Sequence, residues 1–268
     1  MSSLCRVVDM SRQNYYKIRS VRKNKVLESD KILECVRLER NIQPRLGCRK
    51  LLNMIGPELE SKSIGIGRDR FFNLMRFNNL LIKRKRNYCR TTDSKHSFKI
   101  YGNILKDAVI NGPDQAYVSD ITYIRTAGGF VYLALVMDVY SRMIVGWDCS
   151  DSLESIGAQS ALRKALKKLP RGASIIHHSD RGSQYCCHEY IKLLKGHRVS
   201  MTQENHCYEN AMAERLNGIL KQEYGLGGTF KSKKDSYKAV REAIDLYNNR
   251  RPHMGLAYQV PSDVHGAA

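Results

Sequence analysis

The hydrophobic period of this chain changes near residue 115, and that change restricts the fold more than any other feature. Three runs rich in Val, Ile and Tyr predict successive antiparallel strands over residues 116–125, 131–139 and 143–148. Further along, the pattern predicts a helix over 153–169, a strand over 174–177, a helix over 185–194 and a strand over 198–202. This order, βββαβαβ followed by helices, predicts an α/β fold.

The first hundred residues show helical spacing instead. Ser11 is a candidate N-cap for a helix that carries Tyr15, Tyr16 and Ile18. Further helices are expected over residues 27–40, 47–55 and 68–81. We therefore expect a basic helical region, similar to a helix-turn-helix DNA-binding region, over residues 1–90, a linker over 91–112, and a second domain with C-terminal helices over 113–268.

Basic residues are concentrated at the start of the chain. Residues 1–100 hold 24 Lys and Arg against 9 Asp and Glu, whereas residues 101–268 hold 21 against 17. A basic region of this kind favours polyanions, because binding releases their counterions. Nucleic acid is the expected partner; a ribosome-like RNA binder and a merely soluble basic surface are the alternatives.

Neither a membrane span nor a disulfide framework is expected. The sequence has no run of about 18 apolar residues, and charges interrupt its start where a signal peptide would be apolar. The eight cysteines are irregularly spaced and form no Cys-x-x-Cys pair, which argues against disulfides and against a structural zinc site. These features predict a cytoplasmic protein with reduced thiols.

Three acidic residues stand where a carboxylate needs a chemical reason. Asp120 interrupts the apolar pattern of the first strand, although strands disfavour Asp. Asp180 follows a short apolar strand, and ligand sites of open α/β sheets favour such strand ends. Glu214 belongs to a helix predicted over 208–224. The face of this helix that carries Glu214 is polar, with Asn210, Asn217 and Lys221.

Carboxylates that converge from two strands and a helix raise one another's pKa unless a cation lies between them. Mg²⁺ prefers oxygen ligands and keeps several waters. A pair of such ions about 3.5 to 4 Å apart activates the attacking oxygen and stabilises the leaving oxygen in displacement at phosphorus. The triad Asp120, Asp180 and Glu214 therefore predicts catalysis with two Mg²⁺ ions, for which Mn²⁺ is the expected substitute.

The spacing and the words around the triad resemble those of a known family. Asp180 lies 60 positions after Asp120, and Glu214 lies 34 positions after Asp180. The likeness rests on Ser-Asp-Ile-Thr-Tyr-Ile (119–124), His-Ser-Asp-Arg-Gly-Ser-Gln-Tyr (178–185), Cys-Tyr-Glu-Asn-Ala (207–211) and Tyr-Asn followed by Arg-Pro-His (247–253). Over essentially its whole length the chain resembles the OrfB transposases of the insertion sequence three family, which belong to the retroviral integrase superfamily.

This resemblance implies a ribonuclease H-like integrase core, with a mixed five-stranded sheet and flanking helices, preceded by the small basic helical region. It also implies metal-dependent cleavage at insertion-sequence ends and transfer of the liberated 3′ hydroxyl end to another DNA strand. The expected partners are element-end and target DNA, further copies of the chain on DNA, and the product of an upstream frame, OrfA.

Six basic residues are candidate DNA contacts. Lys221 falls where the family has a basic residue, seven positions after Glu214, so two helical turns return it to nearly the same face. Arg181 follows Asp180 directly. The dense basic run before the linker supplies the remaining four, Lys83, Arg84, Lys85 and Arg86.

Other prominent residues have simpler expected roles. Asp138 is expected to orient the backbone or Ser141, and His178 to be a hydrogen-bonded structural residue. The sequence leaves open whether the C-terminal words bind phosphate or brace the helix of Glu214; their polar members are Tyr247, Asn248, Arg251 and His253. Two rival functions also stay open: a metal nuclease of the same fold, and a helix-turn-helix regulator with an inactive core.

Overall fold

In the computed structural model, the described residues are 5, 7, 9–83, 98–203 and 210–267. The chain divides into an N-terminal unit, Met1–Lys83, and a C-terminal unit, Arg84–Ala268. The predicted domain limit at residue 90 lies outside the described residues. All cysteines within the described ranges are free thiols, as expected. The helices described there are too short or too polar to cross a membrane.

Three helices build the N-terminal unit: α1 (Arg12–Ile42), α2 (Cys48–Ser61) and α3 (Arg68–Phe77). Ser11 caps α1 as predicted, since its Oγ accepts a hydrogen bond from the backbone N–H of Asn14 at 3.1 Å. The prediction of separate helices on either side of residue 27 is wrong. Residues 12–42 contain neither Gly nor Pro, so no local signal stops the helix before Pro44.

Only the second half of α1 packs against the other two helices. The apolar core of this unit consists of Ile32, Cys35, Val36, Leu46, Cys48, Leu51, Ile55, Leu59, Ile64, Phe71 and Met75. Burial of Leu59 holds α2 in helical form beyond the predicted end at residue 55. By contrast, α3 ends at Phe77 rather than at residue 81, because Asn79 adopts a left-handed φ of 56°.

A mixed sheet forms the centre of the C-terminal unit. Its strands are β1 (Ala116–Thr126), β2 (Gly129–Asp138), β3 (Ile144–Ser150), β4 (Ile176–Ser179), β5 (Arg198–Met201) and β6 (Thr229–Phe230). The order is β3-β2-β1-β4-β5, and β6 pairs with β1. The first three strands are antiparallel, whereas β4 and β6 run parallel to β1, and β5 parallel to β4. This ribonuclease H-like arrangement confirms the predicted fold class, with the two-residue β6 as an additional strand.

Helices cover both faces of this sheet. They are α4 (Ser155–Leu166), α5 (Ser183–Cys186), α6 (His188–Leu193), α7 (Ala211–Glu223), α8 (Lys233–Asn249) and α9 (Pro261–Gly266), with a 3-10 turn at Met254–Leu256. One core lies between the sheet and α7 and α8, and the other between the sheet and α4, α5 and α6. The single helix predicted over 185–194 is interrupted, because Cys187 has an extended backbone with ψ of 151°.

Close packing of α4 on β3 depends on Gly146. A Cβ atom at this position would overlap the carbonyl oxygen of Ala161. A side chain here would push the helix away from the strand, so the glycine sets the thickness of this layer.

The register of β1 against β4 sets two acidic residues side by side. Tyr117 pairs with His177, and Val118 pairs with His178, in parallel. Two residues further along both segments, Asp120 and Asp180 therefore stand level. They have the same parity as the last pair, so both point to the same side of the sheet.

Candidate active site

Asp120 is held in place by two hydrogen bonds. One carboxylate oxygen, Oδ1, accepts from the backbone N–H of Ile121 at 2.9 Å. The other, Oδ2, accepts from the Nδ2 amide of Asn217 at 2.7 Å. Asn217 lies on α7, 97 residues further along the chain. The side chain thus keeps a fixed direction at the end of the sheet where β4 stops.

Asp180 begins the loop between β4 and α5. Its Oδ1 accepts a hydrogen bond from the backbone N–H of Gly182 at 2.9 Å. A Cβ at position 182 would come within 3.0 Å of the same oxygen, so a residue with a side chain would crowd the carboxylate. This glycine allows the backbone to approach and orient Asp180.

Glu214 lies in the first turn of α7, exposed to solvent. Two asparagines on its face of the helix fasten α7 to β1. Asn210 donates from Nδ2 to the carbonyl oxygen of Ser119 at 3.2 Å, and Asn217 binds Asp120 as described. The polar face predicted from helical spacing is therefore the face that contacts the strand of Asp120.

The three carboxylates influence one another electrostatically. The pKa of Asp120 is raised to about 7, first by burial and then by the negative charges of Asp180 and Glu214. The pKa of Glu214 is raised by partial desolvation and by Asp180. The Lys221 ammonium acts in the opposite direction and lowers the pKa of Asp120. A site with this much uncompensated negative charge favours a cation.

The triad is wider than a single coordination shell. The ligand oxygens of Asp120, Asp180 and Glu214 do not all lie within 4.8 Å of one another. All of these donors are carboxylate oxygens, the type that Mg²⁺ and Mn²⁺ prefer. The residues present thus fit a hard divalent cation, with room for more than one ion.

Comparisons with known proteins agree with this geometry. Two family profiles, both described as integrase core domain, match residues 110–207 and 195–261. A 31 kDa uncharacterized protein of insertion element IS600 from Shigella sonnei is 33% identical, over 97% of this chain and 96% of its own length. The chain belongs to the IS3 family of DDE transposases. DNA transposition and integration is the function of this family.

Two relatives named as transposases are longer than the part they share with this chain. The IS629 transposase of Shigella sonnei is 36% identical over 66% of this chain and 60% of its own length. The InsF transposase of IS3A from Escherichia coli K12 is 36% identical over 67% and 64%, respectively. The alignments thus span less than two thirds of these two transposases.

Solved integrase structures are similar at low sequence identity. The HTLV-2 integrase catalytic core domain, solved in complex with magnesium, is 17% identical and covers 57% of this chain and 97% of its own, with a TM-score of 0.46. The simian T-cell lymphotropic virus intasome, in complex with a PP2A regulatory subunit, is 17% identical, covering 86% and 74%, with a TM-score of 0.49.

In this transposase the C-terminal words brace the core. Arg251 is buried and forms two hydrogen bonds with the Glu223 carboxylate at the end of α7, at 2.8 and 3.1 Å. Asn248 bonds both the N–H and the carbonyl oxygen of Ile144 on β3, at 2.9 and 3.0 Å. Of the two alternatives left open by the sequence, these contacts favour bracing of the Glu214 helix over phosphate binding.

Asp138 and His178 have the structural roles predicted for them. Asp138 Oδ1 accepts hydrogen bonds from the N–H and Oγ of Ser141, at 2.6 and 2.7 Å, and Oδ2 accepts from the N–H of Asp114 at 2.9 Å. Together with His265, these two aspartates form a compact group within 4.8 Å, but its buried carboxylate is already saturated by donors of the chain. His178 shares a hydrogen bond with Ser200 at 2.8 Å.

The candidate DNA contacts of the transposase differ in surroundings. Lys221 lies near Asp120 on the triad side of α7. Arg181 donates from Nε to the carbonyl oxygen of Thr202 at 2.6 Å and so ties the ends of β4 and β5. Lys83 is exposed at the end of the N-terminal unit. The other three, Arg84, Lys85 and Arg86, lie outside the described residues.

Sequence reasoning did not single out Asn217 for the site, although its amide touches Asp120 directly. The available signal was its position three residues after Glu214 on the same helical face. Periodicity showed that Asn217 shares this face, but only the packing of α7 on β1 showed what it contacts.

Proposed function

We propose that this chain is the catalytic subunit of a transposase, in which Asp120, Asp180 and Glu214 form the metal-binding active site for strand cleavage and strand transfer at insertion-sequence ends. One observation carries the proposal: the parallel register of β1 and β4 sets Asp120 level with Asp180, and α7 brings Glu214 to them through the bond from Asn217 to Asp120. Raised pKa values of Asp120 and Glu214 support the same grouping.

The width of the triad supports binding of two Mg²⁺ ions, with Mn²⁺ as a substitute. When bound, such a pair supplies activation of the attacking oxygen and stabilisation of the leaving oxygen in an in-line displacement. The residues of the chain supply the geometry. Asn217 and the Ile121 N–H orient Asp120, and the Gly182 N–H orients Asp180, so the carboxylates need little rearrangement to accept cations.

DNA binding is proposed for both units. Lys221 is placed to meet a phosphate beside the triad, since its charge already reaches Asp120. Arg181 is the next candidate at the same end of the sheet. The basic region over residues 1–90, with Lys83 and the run Arg84–Arg86, is proposed to hold DNA through its charge, which predicts steep salt dependence.

Assembly with other chains is also proposed. Integrase-type chemistry at two element ends needs a homo-oligomer on DNA, and an upstream-frame OrfA product is a candidate partner for recognising those ends. Binding of end-containing and scrambled duplexes, measured with and without the OrfA product, tests this directly. End-specific binding by the chain alone would contradict a requirement for the partner.

Labelled duplexes that contain element termini test the catalytic proposal. We expect joined products from the wild-type chain with Mg²⁺ or Mn²⁺, and none from Asp120→Asn, which keeps the side-chain shape but removes the charge. Glu154→Gln is the matched control, because Glu154 is an exposed carboxylate away from the triad. Cleavage without joining would favour the metal nuclease. A wild-type chain that binds DNA but turns nothing over would favour the regulator with an inactive core.

A further inference from the structure

Tyr185 has a buried hydroxyl without a hydrogen-bond partner among the described residues. The residue lies in α5, five positions after Asp180, and only 3% of its surface is exposed. Three other tyrosines of the C-terminal unit are buried to a similar degree, and each has a partner. Tyr117 bonds Asp114, Tyr190 bonds His177, and Tyr247 bonds the carbonyl oxygen of Arg142.

An unsatisfied buried hydroxyl is costly, because it loses its hydrogen bonds to water and gains none in return. Phenylalanine at this position would fill the same space without that loss. The ring of Tyr185 already packs edge-on against Tyr190, with ring centroids 5.2 Å apart, so packing alone does not require the oxygen. The hydroxyl therefore needs a use in a state of the protein other than this one.

Both aspartates of the triad lie close to this tyrosine. Gly182 separates the ring from Asp180: a Cβ on Gly182 would be 3.7 Å from the Tyr185 Cδ2 and 3.0 Å from the Asp180 Oδ1. The pKa of Tyr185 is raised well above its usual range, first by burial and next by the charge of Asp120, with smaller contributions from Tyr190 and Asp180. Asp120 is thus the carboxylate whose charge acts most strongly on this hydroxyl.

We propose that Tyr185 is a positioning residue whose hydroxyl donates a hydrogen bond to the carboxylate of Asp120 when a divalent cation occupies the triad. This inference rests on the proposed function. Asp120 already accepts from Ile121 and Asn217. A cation claims a further lone pair, and a carboxylate that turns toward it presents a new edge to the protein. A donor buried beneath that edge holds the ligand in its binding direction, as second-shell partners of metal ligands do.

The proposal predicts opposite behaviour for two buried tyrosines. Tyr185→Phe removes an oxygen that has no partner in the metal-free protein, so the thermal midpoint without metal should stay unchanged or rise. Tyr190→Phe removes a formed bond to His177, at 2.9 Å, so the midpoint should fall. Each variant deletes one oxygen from neighbouring rings in the same core.

Metal affinity separates the two variants in the other direction. Titration of the full chain with Mn²⁺ by calorimetry, without DNA or turnover, should show about tenfold or greater weakening for Tyr185→Phe. Tyr190→Phe should bind Mn²⁺ as the wild type does. Equal affinity of Tyr185→Phe and wild type would overturn the inference, and so would a clear loss of metal-free stability in Tyr185→Phe. If the wild type itself binds no Mn²⁺, the proposed metal site is wrong, and the inference falls with it.

Discussion

The two units of this chain use polar residues in different ways. Among the described residues, the N-terminal unit buries Glu39, Gln43 and Lys50, and keeps its many other charges at the surface. The C-terminal unit buries a larger polar set, which includes Asp138, Ser141, His177, His178, Ser179, Ser200, Thr202, Asn248 and Arg251. Surface charges act together and tolerate exchange, whereas each buried polar group depends on a fixed partner.

This difference separates attraction from geometry. A solvated basic surface attracts DNA of any sequence, and no single residue decides its affinity. A buried network fixes the directions of a few side chains, and here it lies behind β1, β4 and α7, which carry the triad. Changes in the N-terminal unit should therefore alter binding in small steps, and changes in the C-terminal unit should alter stability or chemistry in large ones.

Breaking an ion pair in each unit is the strongest test of this contrast. Arg251→Met leaves Glu223 without its partner in a largely buried site, and we expect a loss of about 3 to 5 kcal/mol in the free energy of unfolding. Arg70→Met breaks the exposed pair with Glu28 in the N-terminal unit and should cost at most about 1 kcal/mol. Urea unfolding followed by circular dichroism measures both, and Trp147 fluorescence reports the C-terminal unit. Equal losses would contradict the contrast.

The charge of Asp120 should cost the C-terminal unit stability at high pH. Its pKa in the folded, metal-free protein is raised to about 7, above its usual value of 3.8. The folded state therefore holds the proton more tightly, and wild-type stability falls as pH rises from about 4 through about 7. With EDTA present, Asp120→Asn should be more stable than wild type by about 2 to 4 kcal/mol at pH 8.

That advantage should shrink toward zero near pH 4, where both side chains are neutral. Thermal unfolding across this pH range provides the measurement. Glu154→Gln, an exposed change in the same unit, should give no comparable gain. A constant difference between Asp120→Asn and wild type at all pH values would indicate that the charge is not the cause.

Neutralising surface charge in the N-terminal unit should change DNA binding without changing stability. Arg19 and Lys23 are exposed on the first half of α1, so the double change to Gln should lower the salt dependence of DNA affinity by about one unit of log–log slope for each lost phosphate contact. Lys234 and Arg241 are exposed on α8 in the C-terminal unit. Their double change to Gln removes the same charge and should leave the slope unaltered. Fluorescence anisotropy at several salt concentrations distinguishes the two outcomes.

Removing a helix cap in each unit should have the smallest effect. Ser11 caps α1 and Ser232 caps α8, each by accepting a backbone N–H at 3.1 Å. Ser→Ala at either position removes about 1 kcal/mol of local helix stability. Residues 12–31 of α1 have no buried side chain, so Ser11→Ala should only speed amide exchange in the first turns. α8 is packed in the core, so Ser232→Ala should also lower global stability; a reversed pattern would show that the start of α1 is packed after all.

Local pattern predicted much of the fold. The strands β1, β2 and β3 and the helix α4 lie close to their expected positions, because alternation and apolar spacing act over a few residues. The continuity of α1 was missed, because its first half has no buried stripe to distinguish a helix from a connector. The break at Cys187 was also missed, since nothing in the sequence there, neither Gly nor Pro, signals an extended residue.

The sequence by itself determined the residue types of this protein: a basic beginning, an aspartate within a strand, and acidic residues at integrase-like spacing. Tertiary structure decided which residues meet. Asn217 reaches Asp120 across 97 positions, Asn248 reaches Ile144 across 104, and Arg251 reaches Glu223 across 28. Such pairs form because strands align and helices close over them, and no local period encodes that closure. The carboxylates were therefore readable from the chain, whereas the groups that hold them in position became visible only when the sheet was assembled.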